Sequence, residues 1–123
     1  MTVKELAEKL NLKLFCGEGG LNREIEGGYT GDLLSDVMGN AEANHVWVTL
    51  QTHKNVMAIA SLKELAAIIL VKGYKPEEET IKQSNEEQIP ILGTDEEEFE
   101  LSAKIYNLIK ISCKFRFIIM IFI

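Results

Sequence analysis

Polar residues that could hold an anion occur in three short clusters in the second half of the sequence. They are Gln51, Thr52, His53 and Lys54, then Lys72, Gly73 and Lys75, and then Thr94 and Asp95. Lysine ammonium groups, hydroxyls and backbone amides next to glycine are donors that proteins use for phosphates and carboxylates. We therefore predict that these residues form a site for a small anionic ligand, such as a nucleotide.

The same polar residues also have a structural interpretation. Thr52 could cap a helix, and His53 could lie in an exposed turn. Asp32, Asp36 and Asp95 could act with His53 in acid–base chemistry, but acidic residues at helix starts usually act as caps. No spacing places these groups together, so we predict no catalytic residue and no enzymatic activity.

The residues that could bind a metal are Cys16, His45, His53 and Cys113, and no two of them have the spacing of a zinc motif. The glycine cluster at 17–20 lacks the lysine and the helix of a phosphate loop, and it is predicted to be a hairpin turn. The sequence thus predicts no metal site and no cofactor. The two cysteines could form a disulfide, but without a predicted export signal we expect buried thiols in a cytoplasmic protein.

The elements that would position the polar clusters follow a regular pattern of strand, polar turn and helix. The predicted strands are at 46–50, 67–71 and 89–92. The helices that follow are predicted near 54–65, from Pro76, and from a capping box of Thr94 and Glu97 through Ile109. Parallel strands gather their following turns at one edge, so we predict an α/β fold with a mainly parallel sheet.

Shorter elements are predicted in the first half of the sequence. Thr2 and Glu5 form a capping box for a helix that ends at Leu10. Alternating apolar residues indicate a strand ending at Cys16, and Ile25 begins another strand. Asp32 is predicted to cap a short helix.

The apolar segment 110–123 is predicted to be a tail outside an α/β domain formed by residues 1–109. It is too short for the roughly 20 apolar residues that span a bilayer. Its β-branched and aromatic residues favour a strand that packs on the domain or on a second chain. The alternative is that the segment is not native to the protein.

The charge distribution excludes two classes of partner. The net charge is −6, and the segment 110–123 contains three basic residues and no acid, which leaves −6 − 3 = −9 for residues 1–109. An acidic domain lacks the basic surface of a nucleic-acid binder and is repelled by anionic membranes. We expect no nucleic acid and no membrane as partner.

Four stretches of the sequence resemble the DRTGG family, which is related to the N-terminal domain of HPr kinase/phosphorylase and more loosely to that of Mur ligases. They are 45–60 (HVWVTLQTHKNVMAIA), 2–6 (TVKEL), 21–25 (LNREI) and 31–34 (GDLL). The resemblance implies an α/β domain that serves as a regulatory or accessory module. Catalysis in HPr kinases belongs to a separate domain with a phosphate-binding loop, and this sequence has no G-x-x-x-x-G-K-[ST] motif, so kinase activity is not implied.

Three functional hypotheses follow from these patterns. The first is a regulatory module that senses a small anion and acts on a partner protein. The second is an assembly domain that forms a homodimer through Trp47 and the segment 110–123. The third, a small enzyme that uses His53, has the least support in the sequence.

Overall fold

The computed structural model describes residues 1–122, with side chains from Met1 to Lys110. The helices are α1 (Val3–Leu10), α2 (Leu34–Asn40), α3 (Asn55–Leu62), α4 (Glu78–Glu87) and α5 (Glu98–Phe122), with a 3-10 turn at Glu18–Gly20. The strands are β1 (Lys13–Cys16), β2 (Gly27–Thr30), β3 (His45–Thr49), β4 (Ala67–Leu70) and β5 (Ile91–Gly93).

The five strands form one sheet in the order β1-β5-β4-β3-β2. The neighbours from β2 to β5 are parallel, and β1 pairs antiparallel with β5. The predicted α/β fold with a mainly parallel sheet is confirmed. The predicted hairpin turn at 17–20 is wrong, because β1 and β2 lie at opposite edges of the sheet and the turn is 3-10 helical.

Helices cover both faces of the sheet and form two core clusters. On one face, α2, α3 and α4 pack against the side chains of Trp47, Ile68 and Ile91. On the other face, α1 and α5 cover side chains such as those of Val46 and Ile69. The strands β4 and β5 are buried on both faces, which explains their continuous apolar sequence.

The helix starts follow the predicted caps only in part. Thr2 and Glu5 form the predicted capping box. The capping box of Thr94 and Glu97 is wrong, because α5 begins at Glu98 and the Thr94 hydroxyl accepts from the amide of Glu96 at 3.2 Å. A tight turn at the end of β5 therefore takes the hydroxyl that was predicted to cap the helix.

The indole of Trp47 is fully buried. Its Nε1 donates to the carbonyl oxygen of Gly31 at 2.8 Å, which ties the loop after β2 to β3. The second hypothesis was therefore wrong in assigning Trp47 to a dimer contact, since a side chain with no exposed surface cannot touch a second subunit.

The C-terminal segment is helical, in contrast to the predicted strand. The helix α5 continues to Phe122, and the sequence from Glu98 to that point contains no glycine or proline to stop it. The predicted packing of the tail concerns side chains after Lys110, which lie outside the described residues. Across the described part of the chain, no helix combines the length and the apolar character that crossing a membrane requires.

The thiol of Cys16 is free and buried in the core. Burial raises the pKa of this thiol above its ordinary value, which keeps it protonated and unreactive. The side chain of its predicted disulfide partner, Cys113, lies outside the described residues.

Candidate functional site

The three polar clusters lie at the same edge of the sheet, where β3, β4 and β5 end. Backbone hydrogen bonds join the loops there: the amide of Gly73 donates to Thr94 at 2.9 Å, that of Lys72 to Glu96 at 2.9 Å, and that of Glu77 to Thr52 at 3.2 Å. The parallel sheet gathers these loops as predicted. Whether they bind a ligand remains a prediction.

The cluster after β3 is largely occupied by contacts within the protein. The Gln51 side-chain amide donates to the backbone of Asp32 at 2.8 Å, and Lys54 forms an ion pair with Glu79 at 3.3 Å. The backbone carbonyl of Thr52 accepts from the hydroxyl of Thr80 at 2.9 Å. The imidazole of His53 accepts from the amide of Asn55 at 3.3 Å. These four residues hold the loop between β3 and α3 in place.

Four of the five other predicted residues line an open groove of about 490 Å³, and the fifth, Lys72, lies outside it and acts on the carboxyl groups of Asp32 and Glu98. Gly73, Lys75, Thr94 and Asp95 form one side of it. The remaining lining comes from residues that sequence analysis had not assigned to a site: Leu10, Asn11, Lys13, Phe15, Gly93, Glu96 and Lys104. The groove therefore joins the β4 and β5 loops to the start of β1.

The start of β1 reaches this edge because β1 runs antiparallel to β5, which places Lys13 opposite Gly93. The ring of Phe15 lies against Gly93 so closely that a Cβ atom there would be 2.2 Å from the ring. The ammonium group of Lys13 lies 5.2 Å from the centre of the Phe15 ring, within range of a cation–π contact. Glycine at position 93 thus lets an aromatic ring and a lysine border the groove.

The groove is more positive than the protein that surrounds it. Its ionisable side chains are Lys13, Lys75, Lys104, Asp95 and Glu96, which sum to +1 in a chain with a net charge of −6. Glu96 is paired with Lys104. Lys13 and Lys75 thus outnumber Asp95, which favours an anion in the groove.

A pair of carboxyl groups occupies the same edge, beyond the end of β3. One oxygen of Asp32 accepts from the Thr49 hydroxyl at 2.7 Å and from the amide of Leu50 at 2.9 Å. The carboxyl group of Glu98, the first residue of α5, lies within hydrogen-bonding range of that of Asp32. The predicted helix cap at Asp32 is wrong, because α2 begins without a side-chain cap and Asp32 is held by β3 instead.

The two carboxyl groups have opposite pKa shifts. Burial, the hydrogen bond to Asp32 and the negative charge of Asp32 raise the pKa of Glu98 to about 7. Burial acts in the same direction on Asp32, but the hydrogen bonds from Leu50, Glu98 and Thr49 and the charge of Lys72 bring its pKa below the ordinary value. The opposite directions of the two shifts mean that, when the pair holds a single proton, Glu98 binds it more tightly than Asp32 does.

The predicted acid–base partners of His53 are engaged elsewhere. Asp36 accepts from the hydroxyl of Tyr29 at 2.5 Å, and Asp32 contacts β3 and Glu98. Asp95 lines the groove near Gly73. Within residues 1–110, no three or more His, Cys, Asp or Glu side chains are placed to hold a metal ion.

The protein is an α/β domain, with a mostly parallel sheet and helices on both faces. Its polar groove lies at the carboxyl ends of the strands, which is where open α/β sheets usually bind ligands. Residues 5–108 match the sequence model of the DRTGG domain family. The match covers most of the chain, and the protein belongs to this family. A comparison with curated proteins gives no match.

The fold is similar to that of a solved structure that contains the CBS and DRTGG domains of the regulatory region of Clostridium perfringens pyrophosphatase, complexed with the activator diadenosine tetraphosphate. The TM-score is 0.60 at 11% sequence identity, over 83% of this chain and 44% of the other. This chain spans less than half of that protein. At this identity, the likeness shows a shared fold.

Proposed function

We propose that this protein is a non-catalytic regulatory module that senses a small anionic ligand, and that the groove beside β1 and β5 is its binding site. The single observation that supports this most is the local positive charge of the groove in an acidic domain. Lys13 and Lys75 would bind the anionic groups, and the hydroxyl of Thr94 would donate to them. Asp95 would accept hydrogen bonds from hydroxyl groups of the ligand.

A nucleotide is the first class of ligand to test. The pyrophosphatase regulatory region with a similar fold was solved with diadenosine tetraphosphate, a nucleotide. The exposed part of Phe15 offers an aromatic surface next to Lys13, and bases stack on such surfaces. This combination of an aromatic ring, two lysines and a carboxylate fits a base, phosphates and a ribose.

Replacing Lys75 with alanine is expected to weaken nucleotide binding by about tenfold, because a charge-assisted contact to phosphate is worth about 1.5 kcal/mol. The measurement is isothermal titration calorimetry with ATP and with diadenosine tetraphosphate. Lys13→Ala should have a similar effect. Lys82→Ala is the matched control, since Lys82 is an exposed lysine in the middle of α4 and lies outside the groove. Equal affinity in all three variants would exclude the groove as the site.

A second candidate function, assembly with another copy of the chain, is supported by exposed apolar side chains at the same edge of the sheet. Leu33 is 68% exposed, Tyr74 48% and Phe99 81%. They follow β2, β4 and β5, so they lie at the edge that also contains the groove. Exposed apolar side chains that share one edge are a feature of contact surfaces between proteins.

Phe99→Ser is expected to weaken self-association of the protein by about tenfold or more, because burial of an exposed phenylalanine contributes about 1.5–3 kcal/mol to a contact. Analytical ultracentrifugation over a range of concentrations measures this. Leu62→Ser is the control: Leu62 is 70% exposed but lies at the end of α3, at the opposite edge of the sheet. A wild-type protein that stays monomeric at every concentration would reject assembly between copies.

Three narrower predictions belong to the same proposal. We propose that the domain is cytoplasmic, that it acts on a partner protein, and that its relationship extends to the N-terminal domain of HPr kinase/phosphorylase. The last is supported by the sequence stretches at 2–6 and 45–60. We also propose a domain boundary near residue 109, and the family match, which ends at residue 108, supports it.

A further inference from the structure

Four segments of the protein meet at the first residue of α5. Asp32 comes from the loop between β2 and α2, Thr49 and Leu50 from the end of β3, and Lys72 from the loop after β4. Glu98 joins them from α5 through its hydrogen bond to Asp32. The first turn of α5 is therefore attached to the sheet edge through a carboxyl–carboxyl contact.

This contact depends on a proton. Two ionised carboxylates would repel each other, and they can form a hydrogen bond only when one of them is protonated. Asp32 is the better anion, because Thr49 and Leu50 donate to it. For Glu98, in the part of the chain with described side chains, one carboxyl oxygen, Oε1, is buried without a hydrogen-bond partner. The charged groups that act on Glu98 are Asp32 and Lys72.

We propose that a proton shared by Asp32 and Glu98 holds the first turn of α5 against the sheet edge, a contact that we call the latch. We propose further that this proton and an anion in the groove strengthen each other's binding. The first half concerns the domain alone. The second half rests on the proposed function, because it requires a ligand in the groove.

The latch and the groove share the loop at 94–97. Thr94, Asp95 and Glu96 line the groove, and Glu98 comes two residues after Glu96. The loop is also bound to the β4 side through the amides of Lys72 and Gly73. Release of Glu98 would loosen this loop and with it one wall of the groove. Coupling of this kind is reciprocal, so an anion that binds better to the ordered loop also makes the Asp32–Glu98 pair bind its proton more tightly.

The direction of the pH effect follows from the pKa of Glu98. Its pKa is raised from 4.5 to about 7 in the folded protein. The folded state therefore binds the proton more tightly than the unfolded chain, and stability falls as the pH rises from 4.5 through about 7. The lowered pKa of Asp32 has the opposite effect on stability. Ionised Asp32 stabilises the folded state, and this stabilisation is lost at more acidic pH as the carboxylate is protonated.

Carboxyl ¹³C NMR titration of the intact chain tests the latch without any ligand. We expect the Glu98 resonance to titrate near 7 and to move toward 4.5 in Asp32→Asn, which removes the neighbouring charge. A Glu98 midpoint at its ordinary value in the unaltered chain would overturn the proposal. A midpoint that Asp32→Asn leaves near 7 would also overturn it, since the pair would not share the proton.

Thermal unfolding gives a second test. Glu98→Gln replaces the shared proton with a permanent neutral donor, so we expect its melting temperature to stay level between about pH 5 and pH 7, where that of the wild type falls. Glu97→Gln is the matched control, because it removes the same charge at an exposed neighbouring residue. Parallel curves for wild type and Glu98→Gln would contradict the latch.

The coupling is tested by calorimetry with ATP and diadenosine tetraphosphate at about pH 6 and pH 8, where we expect the wild type to bind several-fold more tightly at the lower pH. Glu98→Gln should lose this difference and Glu97→Gln should keep it, a comparison that cancels the titration of the phosphates themselves. Equal pH dependence in wild type and Glu98→Gln overturns the coupling. If neither nucleotide binds any variant, the proposed function fails and the coupling with it, while the NMR titration still decides the latch.

Discussion

Replacement of Trp47 by alanine is expected to lower the free energy of unfolding by about 3–5 kcal/mol, the range for loss of a buried tryptophan. The side chain has no exposed surface and packs between β3 and the helices α2 and α3. Its removal leaves a large cavity and an unpaired carbonyl oxygen at Gly31. Small domains have a total stability of about 5–15 kcal/mol, so this variant would be close to unfolding.

Trp47→Phe separates the two contributions of the indole. It keeps most of the apolar volume but removes the donor to Gly31, and leaving a buried polar group unpaired costs about 1–3 kcal/mol. Urea denaturation followed by circular dichroism measures both variants. If Trp47→Ala changed the oligomeric state and left the stability unaltered, Trp47 would belong to an interface between subunits and not to the core.

The indole also has a consequence for the site. Its bond to Gly31 fixes the residue just before Asp32, and Asp32 contacts both β3 and Glu98. Trp47→Phe should therefore loosen the carboxyl pair in addition to reducing stability. A buried core residue thus positions an ionisable group at the sheet edge.

The parallel sheet was predictable because its signals are local. The continuous apolar run of β4 and the polar turns after β3, β4 and β5 each appear within a few residues, and they predict both strand type and the edge at which the turns meet. The direction of β1 was not predictable. No local feature states whether an edge strand runs parallel or antiparallel, and that direction alone brings Lys13 and Phe15 to the groove.

The carboxyl pair shows a second limit of sequence analysis. Asp32 precedes a helix, as a cap does, and Glu98 stands in an acidic run that is typical of a solvated helix start. Sixty-six positions separate them (98 − 32), and only the tertiary fold brings their oxygens together. The C-terminal helix illustrates the same point, since β-branched residues favour strands but continue a helix that has already begun.

Substitution of Gly17 with alanine is expected to destabilise the protein by about 2–5 kcal/mol, because overpacking a dense region costs about 1–3 kcal/mol and a left-handed backbone at a residue other than glycine costs about 1–2 kcal/mol. Gly17 has φ +76°, and a Cβ atom there would be 2.5 Å from the carbonyl oxygen of Ile89 and 2.6 Å from Cα of Pro90. Both neighbours are backbone atoms next to β5, so neither can move without shifting that strand.

Gly39→Ala is the matched control for this substitution. Gly39 lies within α2, and a Cβ atom there meets nothing within 4 Å. The exchange should be neutral or stabilise the protein by up to about 1 kcal/mol, because alanine is the better helix former. Thermal unfolding of both variants under the same conditions gives the comparison, and equal changes in the two would contradict the close packing of Gly17 against β5.

The effect of Gly17→Ala should extend to the groove. Gly17 follows directly after β1, and its amide donates to the side chain of Asn85 in α4 at 2.8 Å, which fixes the end of the strand. The register of β1 against β5 places Lys13 opposite Gly93. An alanine that pushes β1 away from β5 moves Lys13 and Phe15 together. We therefore expect Gly17→Ala to weaken nucleotide binding at temperatures where the domain is still folded, whereas Gly39→Ala should leave binding unchanged.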